Sequence, residues 1–236
     1  MAESFELDGK TVELFGSELS GAPLVLLNAF GNASDGEGKR VWHECSVHGC
    51  PRFTLASVTG MDWNGELSPW ECPPVRKHDA PFSGRADSYL AFVTDKLIPS
   101  IVQHLSVAPA YLVLSGYSLA GLFALYAPYR TNVFSKIASS SPSVWFPGFL
   151  DFATATAFVQ KPDCVYVSLG DGESKTRNQL LASVQERAER LALHYKSMGI
   201  QTAFELNRGN HFADTEIRTA KGILWALEAE GGNKKD

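Results

Sequence analysis

Ser115-Gly116-Tyr117-Ser118-Leu119-Ala120-Gly121 separates an apolar run at 111–114 from a second at 122–126. A strand that turns sharply into a helix needs small residues two before and two or three after the exposed side chain, because the two backbones nearly touch there. Gly116, Ala120 and Gly121 meet that need, with Ala120 one methyl larger than the glycine usual in its place. Such a turn presents the Ser118 hydroxyl bare, so Ser118 is the candidate nucleophile. The bland alternative is a tight turn with a helix-capping serine, but the strand before and the helix after favour chemistry.

A serine attacks only when a base removes its proton. Of the six histidines, His104 and His194 fall inside helical patterns. His43, His48 and His78 precede Ser118, whereas after a turn of this kind the acid and then the histidine follow the serine. His211 remains, in the loop beginning Asn207-Arg208-Gly209-Asn210 after a strand at 202–206. It needs a carboxylate to hold its tautomer. The strand at 164–169 ends in Gly170-Asp171-Gly172-Glu173, where two acids compete; the longer side chain and the place three residues past Gly170 favour Glu173. The acid not used would be a charge ahead of the helix that follows.

Leu119 opens a helix, so its N–H can donate to a developing oxyanion. The second donor is expected from the loop after the strand at 24–27, where Asn28-Ala29-Phe30-Gly31 offers the Phe30 N–H. Trp63 and Trp70 follow the strand at 53–58 in a Pro-containing loop; either they wall a substrate pocket or they anchor that loop on the core.

The elements that must hold these residues are short apolar runs bounded by Gly, Pro and Asn, at 24–27, 53–58, 111–114, 137–139, 164–169 and 202–206. Helical patterns lie between them at 86–105, 119–126, 179–197 and 214–229, with Gly199 past the end of the third. At the start, Asp8-Gly9 joins alternating segments as a hairpin over about 5–15. The expected architecture is α/β: a mainly parallel central sheet with antiparallel N-terminal strands and helices on both faces. One domain over 1–236 is expected, its polar tail frayed from about 230.

Composition narrows the function. Hydrophobic residues make up 44% and charged residues 20%, and 21 Lys and Arg against 26 Asp and Glu give a net charge of −5. No basic run could neutralise a phosphate backbone, so nucleic acid is not an expected partner. No apolar stretch approaches the ~20 residues that span a bilayer, so no membrane association is expected. The acidic start Met1-Ala2-Glu3-Ser4-Phe5-Glu6 lacks the pattern of a secretory signal, and the expected location is cytoplasmic. Four cysteines do not make a disulfide framework. His43-Glu44-Cys45 and His48-Gly49-Cys50 lack zinc-site spacing and read as a helix face; Gly36-Glu37-Gly38-Lys39-Arg40 lacks the remainder of a phosphate-binding motif and reads as a polar loop. No metal and no cofactor is expected.

Taken together, Gly116-Tyr117-Ser118-Leu119-Ala120-Gly121-Leu122-Phe123 and Ser139-Ser140-Ser141-Pro142-Ser143-Val144-Trp145-Phe146 resemble the nucleophile helix and following strand of α/β-hydrolase-fold esterases of the enterochelin-esterase-like and esterase-D-like group. The resemblance covers about 24–227. In those enzymes a Gly-x-x-Glu loop supplies the acid and a short Gly-x-His loop the base, which is similar to Gly170 to Glu173 and Gly209-Asn210-His211 and adds weight to Glu173. The resemblance implies a serine hydrolase that cleaves a small-molecule carboxylic ester without a cofactor. Acyl transfer or thioester cleavage would use the same residues, and a ligand-binding scaffold would keep the cleft without turnover. Oligomeric state is left open.

Overall fold

Asp8 and Gly9 both take positive φ, 48° and 78°, as a two-residue turn matched to right-handed strand twist requires. They join β1 (Glu3–Leu7) to β2 (Lys10–Phe15) in antiparallel register. The computed structural model describes residues 3–19, 21–105 and 107–230, so the tail expected to fray lies, beyond residue 230, outside the described residues.

After the hairpin come β3 (Leu24–Asn28), α1 (Glu37–Val47), β4 (Thr54–Thr59) and the short α2 (Trp63–Glu66). A two-stranded ribbon of β5 (Glu71–Cys72) and β6 (Phe82–Ser83) precedes α3 (Ala86–Phe92) and α4 (Ile98–Gln103). Strands and helices then alternate: β7 (Leu112–Tyr117), α5 (Leu119–Tyr126), β8 (Lys136–Ser140), α6 (Phe149–Ala155) and β9 (Cys164–Gly170). The chain continues through α7 (Gln179–Ala182), α8 (Val184–Ser197), β10 (Gln201–Asn207) and α9 (Thr215–Glu228).

Eight strands form one sheet in the order β1-β2-β4-β3-β7-β8-β9-β10. The pairs from β4 through β10 are parallel, and β2 joins β4 antiparallel. Side chains alternate across this sheet. Leu24, Leu26, Leu114 and Ile137 face a core filled by α3, α5 and α8; Val25, Leu27, Val113 and Ala138 face a second core filled by α1 and α9. Every residue of α5 is buried, which is why that helix is apolar all round. Both faces are covered, as the pattern predicts. Among the described residues, no helix is long and apolar enough to cross a membrane.

Three local expectations change. The segment at 36–40, expected as a polar loop, is a helix start: Gly36 at φ 69° caps α1, and Gly38 lies so close to Ser57 that a Cβ would meet its Oγ at 2.3 Å. The four-residue steps Glu37, Val41 and Cys45 carried that helix. The expected helix at 86–105 is helical but widens to a π turn at Val93–Leu97, where Pro99 has no N–H to offer the Asp95 carbonyl. The expected helix at 179–197 breaks at Ser183. On α1, His43 and His48 are exposed while Cys45 is buried, so they do not converge. Among the described residues, no cluster of three or more His, Cys, Asp or Glu could hold a metal.

Register places the site. Asn28 pairs with Gly116, Tyr117 with Ser140, Ser140 with Ser168, and Gly170 with Asn207. The carboxyl ends of β3, β7, β8, β9 and β10 therefore lie along one edge, where loops of a parallel sheet collect functional groups.

Candidate active site

Ser118 joins β7 directly to α5 at φ 58° and ψ −118°, a conformation that L residues rarely adopt. Such strain costs about 1–3 kcal/mol and persists only when the surroundings enforce it. Here the enforcing elements are a buried strand and a wholly buried helix. Gly116 makes their approach possible, since a Cβ there would lie 2.5 Å from the Ala120 backbone. With Gly116 bare, the methyl of Ala120 is accommodated. The Ser118 N–H donates to the Ser140 carbonyl at 3.1 Å, and its own carbonyl accepts from Ser143 N–H at 3.0 Å, so the turn is pinned to β8 and the loop beyond.

The Ser118 hydroxyl stands 3.0 Å from His211 Nε2, and His211 Nδ1 stands 2.8 Å from Glu173 Oε2. The tautomer this network assigns has Nδ1–H donating to Glu173 and Nε2 accepting from Ser118. Glu173 Oε1 accepts from the Gly170 N–H at 2.6 Å and from the Ser141 hydroxyl at 2.7 Å. Burial pushes the Glu173 carboxyl up, but the His211, Gly170 and Ser141 hydrogen bonds outweigh it and hold the group below the usual carboxylate range. It is thus held ionised. Asp171, the competing acid, accepts the Gly209 N–H at 2.9 Å instead and laces the acid loop to the histidine loop.

Arg218 underlies both loops. It projects from α9, is 1% exposed, and was not singled out by sequence because an arginine on an amphipathic helix reads as solvated. Nη1 donates to Asn210 O at 3.1 Å, Tyr117 Oη at 3.2 Å and Glu173 Oε1 at 3.4 Å, while Nη2 donates to Arg208 O at 3.0 Å. Tyr117 in turn donates to the His211 carbonyl at 2.7 Å. One guanidinium fork therefore ties the acid and the backbone leading into the base to a single buried point. Ser141, at φ 43°, is a second residue missed by sequence; a Ser-rich strand end gave no hint that its hydroxyl would reach Glu173.

Leu119 is the first residue of α5 and lines a cavity of about 410 Å³ with Ser118 and Trp63. The Phe30 N–H is engaged: it donates to Glu37 Oε2 at 2.7 Å. Cavities of about 450 and 340 Å³ also have Ser118 in their walls, so the hydroxyl sits where three meet. The two tryptophans part company. Trp63 lines the 410 and 450 Å³ cavities and meets Phe30 edge to face at 5.0 Å. Trp70 packs between Phe146 and Phe152 and donates Nε1–H to the Pro147 carbonyl at 3.0 Å, which is the anchoring role.

A protein-family model described as "Putative esterase" matches residues 52–212, more than half of the chain. Among curated proteins, no sequence matches significantly. Solved structures do. A siderophore hydrolase, EstA from Aspergillus nidulans, superposes with a TM-score of 0.69 at 17% identity, covering 96% of this chain and 93% of that one. An IroE-like serine hydrolase from Shewanella oneidensis gives 0.72 at 15% identity, covering 94% and 78%. The enterobactin esterase FES from Shigella flexneri gives 0.70 at 17% identity, covering 95% and 58%. At these identities the likeness is one of fold.

Proposed function

The chain belongs to the esterase family whose model it matches, and from that premise we propose that it cleaves a small-molecule carboxylic ester through an acyl-enzyme on Ser118, with His211 as base and Glu173 as its partner. The family and the α/β-hydrolase fold make it a carboxylic-ester hydrolase. The observation that carries the finer reading is the unbroken hydrogen-bond chain from Ser118 through His211 to Glu173, at 3.0 and 2.8 Å.

In this mechanism Ser118 Oγ attacks the ester carbonyl as its proton passes to His211 Nε2. Glu173, ionised, stabilises the imidazolium and holds Nδ1–H toward itself. The tetrahedral oxyanion takes the Leu119 N–H, at the N-terminus of α5, and the Phe30 N–H, from which Glu37 must withdraw. His211 then gives its proton to the departing alkoxide, leaving the acyl group on Ser118. Water repeats the sequence: His211 takes its proton, hydroxide adds to the acyl carbonyl, and Ser118 leaves with the proton returned. The aromatic residues around the three cavities favour an ester with apolar parts on both sides of its carbonyl.

A fluorophosphonate probe is expected to label Ser118, and a series of p-nitrophenyl and naphthyl esters of graded acyl length is expected to be hydrolysed. A folded protein that stays unlabelled and turns over none of them would defeat the reading. The two acids are separated by kinetics. Glu173→Gln is expected to lower kcat by about 10³–10⁴-fold, because an amide no longer fixes the imidazole tautomer. Asp171→Asn is expected to lose far less, since the contact it keeps is with the Gly209 backbone. The reverse order of losses would make Asp171 the acid.

A further inference from the structure

The cavity of about 450 Å³ beside Ser118 combines aromatic rings with excess negative charge. Phe30, Trp63 and Phe212 are in its wall, and Phe212, 84% exposed, stands edge-on to the His211 ring at 5.1 Å. Two carboxylates, Glu37 and Glu216, share the wall with one guanidinium, Arg40. Arg40 is already committed: its Nε donates to Glu216 Oε1 at 2.7 Å, and Nη1 donates to the Asp35 carbonyl. The charge of Glu37 is therefore left over, inside an aromatic-walled space that opens on the nucleophile.

Glu37 also occupies a working position. Its Oε2 accepts the Phe30 N–H, the same donor that the tetrahedral oxyanion requires. A neutral substrate that displaces this carboxylate strips it of a charge-assisted hydrogen bond and offers nothing in return, in a setting where unpaired charge is costly. A substrate bearing an ammonium group gives the displaced carboxylate a new partner, and the surrounding rings attract the same cation. We propose that Glu37 makes this enzyme select esters that carry an ammonium group, seated among Phe30, Trp63 and Phe212 with the cation paired to the carboxylate as the oxyanion takes the Phe30 N–H. The inference rests on the hydrolase reading above.

The charged and titratable groups that share the cavity wall with Glu37 are Arg40 on its own helix, Tyr117 from β7, Glu216 from α9 and His211 from the loop before α9. Burial pushes the Glu37 carboxyl up to about 6; the Phe30 hydrogen bond lowers it, Glu216 raises it and Arg40 lowers it. Selection is accordingly a property of the ionised form and should fade as pH falls through that value.

Two matched pairs test this. One sets the p-nitrophenyl ester of γ-trimethylammoniobutyric acid against its all-carbon analogue, with the charge on the acyl side. The other sets acetylthiocholine against its all-carbon analogue, with the charge on the leaving side. In at least one pair kcat/KM is expected to favour the cation by about tenfold above neutral pH, with the ratio falling toward one below pH about 6 and in Glu37→Gln at every pH. Glutamine keeps the shape and an acceptor for the Phe30 N–H, so the variant isolates the charge. Equal rates in both pairs, a preference for the neutral esters, or a cation preference that survives in Glu37→Gln would overturn the proposal while leaving the esterase intact. Failure of all these esters also overturns it, and overturns the hydrolase reading too only if Ser118 stays unlabelled by fluorophosphonate.

Discussion

Ser118→Ala is expected to reduce ester turnover by about 10⁴–10⁶-fold and to abolish fluorophosphonate labelling, with little change in thermal stability. The size follows from what is removed. Without Oγ there is no atom to form the acyl-enzyme, and the oxyanion donors and cavities that remain support only a small residual rate. Stability is spared because the strained turn is imposed by β7 and α5 and by the missing Cβ at Gly116, none of which the substitution touches. Alanine tolerates φ 58° no better than serine, so the strain is the same before and after. Measuring kcat/KM on a p-nitrophenyl ester beside a melting curve separates the two effects. Retained turnover in a folded Ser118→Ala protein would remove this serine from the chemistry.

The second large effect is expected at a residue that touches no substrate. Arg218→Met keeps the length and the apolar stem but removes the fork that serves Glu173, Tyr117 and the carbonyls of Arg208 and Asn210. Removing one partner of a buried ion pair costs about 3–5 kcal/mol; here Glu173 keeps its His211, Gly170 and Ser141 hydrogen bonds, and the loss falls on the Arg208 and Asn210 carbonyls, which are left without this donor. For a chain of this length that corresponds to a fall in Tm of roughly 6–20 °C. Arg218 is a positioning residue, so a second readout is needed that packing alone would not move. Well below the new Tm, the rate of fluorophosphonate labelling per folded molecule and kcat are expected to drop together while KM changes little. Arg218→Lys is not expected to restore them, since a single ammonium cannot reproduce the divergent fork. A variant that melts earlier yet labels and turns over at the wild-type rate would reduce Arg218 to a structural brace.

Both effects spring from the same edge of the sheet, but they were not equally legible in the sequence. Gly116, Ser118, Ala120 and Gly121 could be read directly, because the close approach of strand to helix is a local constraint that small residues satisfy within one turn. The strands were legible for a similar reason: burial on both faces leaves apolar runs that need no knowledge of their partners. Helix boundaries were less so, and the helix beginning at Glu37 was hidden because its first turn is Gly-rich and charged. Gly38 in that turn packs closely on Ser57, a contact between segments that meet only in the folded chain.

The amino-acid sequence alone thus determined the layered α/β architecture, the serine turn and the chain order of serine, acid and histidine, since each is written in residue types at short spacing. Tertiary structure alone decided which acid faces His211, that Trp63 lines a cavity while Trp70 anchors a loop, and that Glu37 holds the Phe30 N–H. It alone revealed Arg218, whose partners lie 8, 10, 45 and 101 residues away. The physical reason is range: backbone preference and hydrophobic period act between neighbours along the chain, whereas a side-chain hydrogen bond is fixed by where separate strands deliver their ends, to within an ångström.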